Sequence, residues 1–134
     1  MRYMLDTNIC IHLIDQRPPQ VLAKFRQMEV GQVVMSVVTH AELSHGVERF
    51  AGELRQQAAN SLLQLIRFIP VLPFDTYASA SYGVLAASVR DRKRDALDRL
   101  IAAHAVAIEA VLVTNNASDF QDYPGLTIEN WVSP

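Results

Sequence analysis

Apolar residues in this chain follow two rhythms. Short unbroken runs such as VVMSVV and AVLV fit strands buried on both faces, and longer stretches repeat at helical spacing. RYMLD predicts a first strand, and ICIHLIDQ a short helix ended by Pro18 and Pro19. QVVMSVVT predicts a second, valine-rich strand followed by a helix over HAELSHGVERF. In SLLQLIRFI, Leu62, Leu65, Ile66 and Ile69 fall at i, i+3, i+4 and i+7, one face of an amphipathic helix. VLPFD predicts a brief strand, TYASASYGVLAASVRD and DALDRLIAAHAVAIE two helices, and AVLVT and TIENW further strands. This alternation argues for an α/β fold with a mostly parallel sheet covered on both faces. No repeat, low-complexity tract or linker interrupts it, so residues 1–134 are expected to form one domain.

In parallel sheets, functional groups collect at the carboxyl ends of strands. Asp6 ends the first apolar run, Glu42 opens the helix after the second strand, Asp98 lies in the first turn of DALDRLIAAHA, and Asp119 follows AVLVT. Each has a purely structural explanation. Thr7 or Asn8 can cap the helix behind Asp6. Thr39-x-x-Glu42 matches a capping box. Asp95 can cap the helix in which Asp98 is favoured by the helix dipole, and Asp119 can be a loop residue. Convergence would change the balance. Four acids make six repulsive pairs, each roughly 3 kcal/mol at about 5 Å and an effective dielectric of about 20. The sum is on the order of a domain's whole stability, so a convergent cluster requires a cation or bound protons. Oxygen ligands without thiolates select a hard ion, Mg²⁺ or Mn²⁺.

Composition narrows the setting. Half the residues are apolar and the net charge is −2, so nothing global invites nucleic acid. The single cysteine, Cys10, forms no internal disulfide, and a reducing cytoplasm is expected. The longest apolar tract, LIAAHAVAIEAVLV, is too short to span a bilayer and contains His104 and Glu109. The basic residues are uneven: Arg90, Arg92, Lys93, Arg94 and Arg99 crowd one segment beside Asp98. They form either a solvated helix connection or a patch that contacts RNA phosphates.

The blocks MLDTNICI, SVVTHAELSHGVER, LDRLIAAHAVA, AVLVTNNASDF and PGLTIENW together resemble the PIN-domain family, and within it the VapC-type toxins of bacterial toxin–antitoxin pairs. The resemblance implies a three-layer α/β/α sandwich with a mostly parallel central sheet. It also implies an endoribonuclease whose four acids bind Mg²⁺ and cut single-stranded RNA. By motif these acids are Asp6, Glu42, Asp98 and Asp119, with Thr7, Asn8, Thr114 and Asn116 in supporting polar positions. DRKRDALD departs from the Gly/Pro-containing loop common at the third acid. Asp98 matches the family register, and Asp95 is a possible substitute. The implied partners are a cognate VapB-like antitoxin, an RNA substrate and a second copy of the chain, with hetero-oligomers possible and no membrane. The helices HAELSHGVERF and SLLQLIRFI offer the antitoxin a clamp, unless their leucines are core. Initiator tRNA, cut in the anticodon loop, is the favoured target. Alternatives are a silent RNA- or protein-binding module and an RNA-processing nuclease acting on rRNA or mRNA.

Other chemistries find less support. His104 lies about 120° around the helix from Asp98 and is expected to pack against the sheet. Glu42-x-x-His45 is half of a di-iron carboxylate motif with no second copy. His40 and His45 are expected at the surface or behind the site. Cys10 fits a small core position. No glycine-rich phosphate loop occurs, and DTN lacks the second aspartate of a D-x-D phosphatase.

Overall fold

The computed structural model describes residues 1–89 and 96–134. Five strands run through its centre: β1 (Tyr3–Leu5), β2 (Val33–Ser36), β3 (Val71–Leu72), β4 (Val111–Val113) and β5 (Ile128–Glu129). They lie in the order β3-β2-β1-β4-β5, and every pairing is parallel. The pleat divides them between two cores. Met4, Val34 and Leu112 are in register and pack with Leu85, Ile101 and Phe120 on one face. Leu5, Val33, Met35 and Val113 pack with Ile9, Val21, Leu43, Leu62 and Trp131 on the other.

Helices α1 (Thr7–Asp15), α2 (Pro19–Arg26), α3 (Val37–Glu48) and α4 (Gly52–Phe68) supply the second core. Helices α5 (Thr76–Ser88), α6 (Ala96–Ala107) and α7 (Ala117–Phe120) supply the first. The result is the expected three-layer α/β/α sandwich, with a sheet that is parallel throughout the described residues. None of the described helices is long and apolar enough to cross a membrane.

Three boundaries differ from the sequence expectation. The run QVVMSVVT splits at Ser36, whose hydroxyl accepts the Val38 N–H at 3.1 Å and caps α3. That cap and the packing of α3 override the strand preference of Val37 and Val38. Pro18 and Pro19 do end α1, but Pro19 also opens α2, where its missing N–H leaves nothing unsatisfied. α7 was not anticipated. Leu62 in α4 and Ile69 at its C-cap are buried, and Leu65 and Ile66 pack against the same core, as the spacing required.

α1 closes on Gln16, a non-glycine residue at φ 57° whose N–H reaches the His12 and Leu13 carbonyls. Trp131 is 2 % exposed, lies 5.8 Å from the Tyr3 ring and donates its indole N–H to Glu129 at 2.9 Å.

Candidate active site

β1 is the middle strand, and the chain leaves it toward β2 on one side and returns to β4 on the other. A crevice at the carboxyl ends is expected at such a switch point. Asp6 stands there, only 5 % exposed, with its N–H held by the Val113 carbonyl at 3.0 Å. Its carboxylate accepts the Ile9 N–H at 2.9 Å, so Asp6 is itself the cap of α1. This corrects the expectation that Thr7 or Asn8 caps that helix. The residue with extended backbone just before the first turn is Asp6, and a cap must have that conformation.

Thr7 is thereby released for another contact. Its hydroxyl donates to Glu42 Oε1 at 2.7 Å across 35 residues of sequence. Thr114 hydrogen-bonds the Asp6 carboxylate, and the Thr114 Oγ1 in turn accepts the Asn116 N–H at 3.0 Å. Asn8 and the Asn116 side chain are exposed, and Asn8 lines the groove described below.

Burial is the largest influence on Asp6 and raises its pKa. Hydrogen bonds from Thr114 and Ile9 and the nearby His12 pull the other way, while Glu42 adds repulsion, and the net shift is upward. Glu42 is half-buried in α3. The capping-box explanation for it fails, because Ser36 is the cap and Thr39 lies fully buried inside the helix.

Asp98 is half-buried in the first turn of α6, which packs against α3. The preceding residue, Leu97, lines the same groove as Thr7, Asn8 and Glu42. Asp119 is exposed on α7, beyond the strand that pairs with β1, and its N–H is held by the Asn116 carbonyl at 2.9 Å. Asp95 lies outside the described residues. Among those described, no three His, Cys, Asp or Glu side chains close on one point as a metal cage. What comes together is the Asp6–Glu42 pair, and Asp98 and Asp119 sit on elements bordering it. The donors are all oxygens, since Cys10 is buried and burial pushes its thiol far up. Such a set suits a hard divalent cation.

Arg90, Arg92, Lys93 and Arg94 lie outside the described residues. Arg99 is turned inward and is 6 % exposed. Burial opposes its charge, but the influence of the neighbouring Tyr123 and Tyr82 side chains outweighs that and raises its pKa. That burial does not fit the exposed phosphate contact expected of Arg99, which instead lies near Tyr82 of α5 and Tyr123 after α7. From Thr7 and Glu42 an open groove of about 730 Å³ runs between α1, α3 and α4, lined by Ile11, Ile14, Leu43, Phe50, Leu54 and Leu62.

One contact had no signal in the sequence. His104 is 1 % exposed, meets the edge of Phe74 at 5.5 Å, and puts Nδ1 2.7 Å from Ser36 Oγ, 68 residues away. Burial lowers its pKa, with Asp75 opposing.

The PIN domain family matches residues 3–126. Ribonuclease VapC2 of Rickettsia felis is 32 % identical over 98 % of both chains. The tRNA(fMet)-specific endonuclease VapC of Shigella flexneri is likewise 32 % identical over 98 % of both. Among solved structures, VapBC-1 from nontypeable Haemophilus influenzae superposes with a TM-score of 0.87 at 31 % identity, covering 99 % of this chain and 100 % of that one. DNA-bound VapBC from Salmonella typhimurium gives 0.87 at 30 % identity and 98 % coverage of each. A buried aspartate at the end of the middle strand, tied through a threonine to a glutamate on α3, thus stands in a full-length likeness of fold and sequence: the chain belongs to the PIN-domain family, among the VapC ribonucleases.

Proposed function

We propose that this chain is a divalent-cation-dependent endoribonuclease of single-stranded RNA, the toxin of a toxin–antitoxin pair. The observation carrying this reading is the Asp6–Thr7–Glu42 unit at the carboxyl edge of β1. Asp6 is held rigid by Ile9 and Thr114, and burial biases it toward its neutral form, so a cation is its natural counter-charge. Asp6, Glu42, Asp98 and Asp119 would hold Mg²⁺ or Mn²⁺. When bound, the ion would orient the scissile phosphate, lower the pKa of a water and stabilise the leaving oxygen. Thr7 fixes the Glu42 rotamer, and Thr114 fixes that of Asp6.

The names of the relatives from Shigella flexneri and Salmonella typhimurium favour initiator tRNA as the substrate, and the family resemblance suggests its anticodon loop as the place of the cut. The neighbouring VapBC complexes favour a VapB-like antitoxin as partner. The apolar groove leading to Thr7 and Glu42 would seat an apolar antitoxin segment, and the toxin itself would work as a homodimer in the cytoplasm. Water attack leaves a 5′-phosphate and needs no ribose 2′-hydroxyl, so RNA carrying a 2′-deoxy nucleotide at the cut site should still be cleaved. The direct test is Asp6→Asn together with chelation by EDTA. Each should lower the cleavage rate by at least about 100-fold, as expected for a lost charged ligand. Cleavage that survives both, or that ends in a cyclic phosphate, overturns the proposal. Wild-type protein that binds RNA without cutting it would be a silent binding module.

A further inference from the structure

Two helices carry candidate acids: Glu42 on α3 and Asp98 in the first turn of α6. The elements pack directly, and a buried polar contact also joins them. Ser36 caps α3 by accepting the Val38 N–H at 3.1 Å, and the same oxygen lies 2.7 Å from His104 Nδ1 on α6. Both residues are sealed from solvent, at 0 % and 1 % exposure. In such a setting a hydrogen bond is stronger and its loss leaves polar groups unsatisfied. The Phe74 ring, edge-on at 5.5 Å, restricts the imidazole further. The neutral imidazole favoured by burial can accept the Ser36 proton or donate to its second lone pair, so either tautomer closes the link.

The spacing gives the link its leverage. Glu42 lies six residues beyond Ser36 and Asp98 six before His104, each about 9 Å along its helix at 1.5 Å per residue. A shift at the contact is carried by two rigid helices to both acids.

We propose that the Ser36–His104 hydrogen bond is a positioning contact that fixes α3 against α6 and so sets Glu42 relative to Asp98. His104 touches no reacting group and acts through Ser36. The inference rests on these acids forming the nuclease site.

The test separates position from stability. In His104→Asn the amide can stand where Nδ1 stood, but the smaller side chain leaves a cavity. In His104→Leu the volume is kept and the hydrogen bond is lost. His104→Asn should therefore melt lower than wild type yet keep its cleavage rate within about threefold. His104→Leu and Ser36→Ala should lose about tenfold or more in kcat with KM for RNA unchanged, the range for residues that orient ligands. Mn²⁺ binding to the RNA-free proteins, followed by water-proton relaxation, should weaken in the same two variants. The double variant Ser36→Ala/His104→Leu should be no worse than Ser36→Ala alone, because that single change already removes the link together with the α3 cap. If activity follows melting temperature, with His104→Asn the poorest enzyme, or if the two losses add, the link is only structural. A wild type inert on RNA sinks the nuclease reading and this inference with it. An active wild type matched by every variant sinks the inference alone.

Discussion

Asp6 has two employments that pull against each other. As the cap of α1 it needs only an oxygen acceptor for the Ile9 N–H. As a candidate ligand it needs a charge, which burial disfavours. Asn caps as well as Asp does, so Asp6→Asn should abolish cleavage while its thermal midpoint at pH 7 equals or exceeds that of wild type. A melt measured beside the cleavage assay checks both. The pH signs differ between the two buried groups. The raised Asp6 value means the folded state binds its proton more tightly. The stability this contributes is present below the ordinary value of 3.8 and is lost as pH rises through the folded value. The lowered His104 value means the unfolded chain binds more protons below the ordinary value of 6.5. Stability therefore drops as pH falls from there through the folded value. In Asp6→Asn, where the opposing Asp6 contribution is removed, the urea midpoint should fall between pH 7.5 and pH 5, and adding His104→Asn should flatten that slope.

Helix ends explain most of what the sequence yielded and what it hid. The apolar runs located β1, β2 and β4 and the helices α3 to α6, because buried parallel strands and amphipathic helices leave strong periodic signals. Boundaries were weaker. Ser36 looked like mid-strand because valines flank it, and only its burial beside His104 and its bond to Val38 make it a cap. Prolines 18 and 19 looked like a stop, although Pro19 is equally suited to a start. Gln16 closes α1 in the left-handed region at φ 57°, a conformation that strains any side chain with a Cβ. Gln16→Gly should thus raise stability by about 1 kcal/mol, seen as a midpoint several degrees higher, with cleavage unchanged.

At the scale of the molecule, the strand order turns four scattered positions into neighbouring elements. Their residue types and their places at element ends were visible in the sequence. Their distances were not, since these depend on contacts such as Thr7–Glu42 that span 35 residues. Arg99 shows the opposite failure. Charge clustering suggested a surface, whereas Arg99 is buried near Tyr82 and Tyr123.

Trp131 has a consequence for where this domain can be cut. The match to the family model ends at residue 126, although whole relatives align over 98 % of the chain, and the largest fully buried side chain and the edge strand Ile128–Glu129 both come later. Losing an aromatic of that size from a core costs roughly 3–5 kcal/mol, a large share of the 5–15 kcal/mol that usually holds a domain together. A fragment trimmed to residues 1–126 should show no cooperative melt by circular dichroism, although it keeps every candidate ligand. The family model draws the border of the motif, and the tryptophan draws the border of the foldable unit.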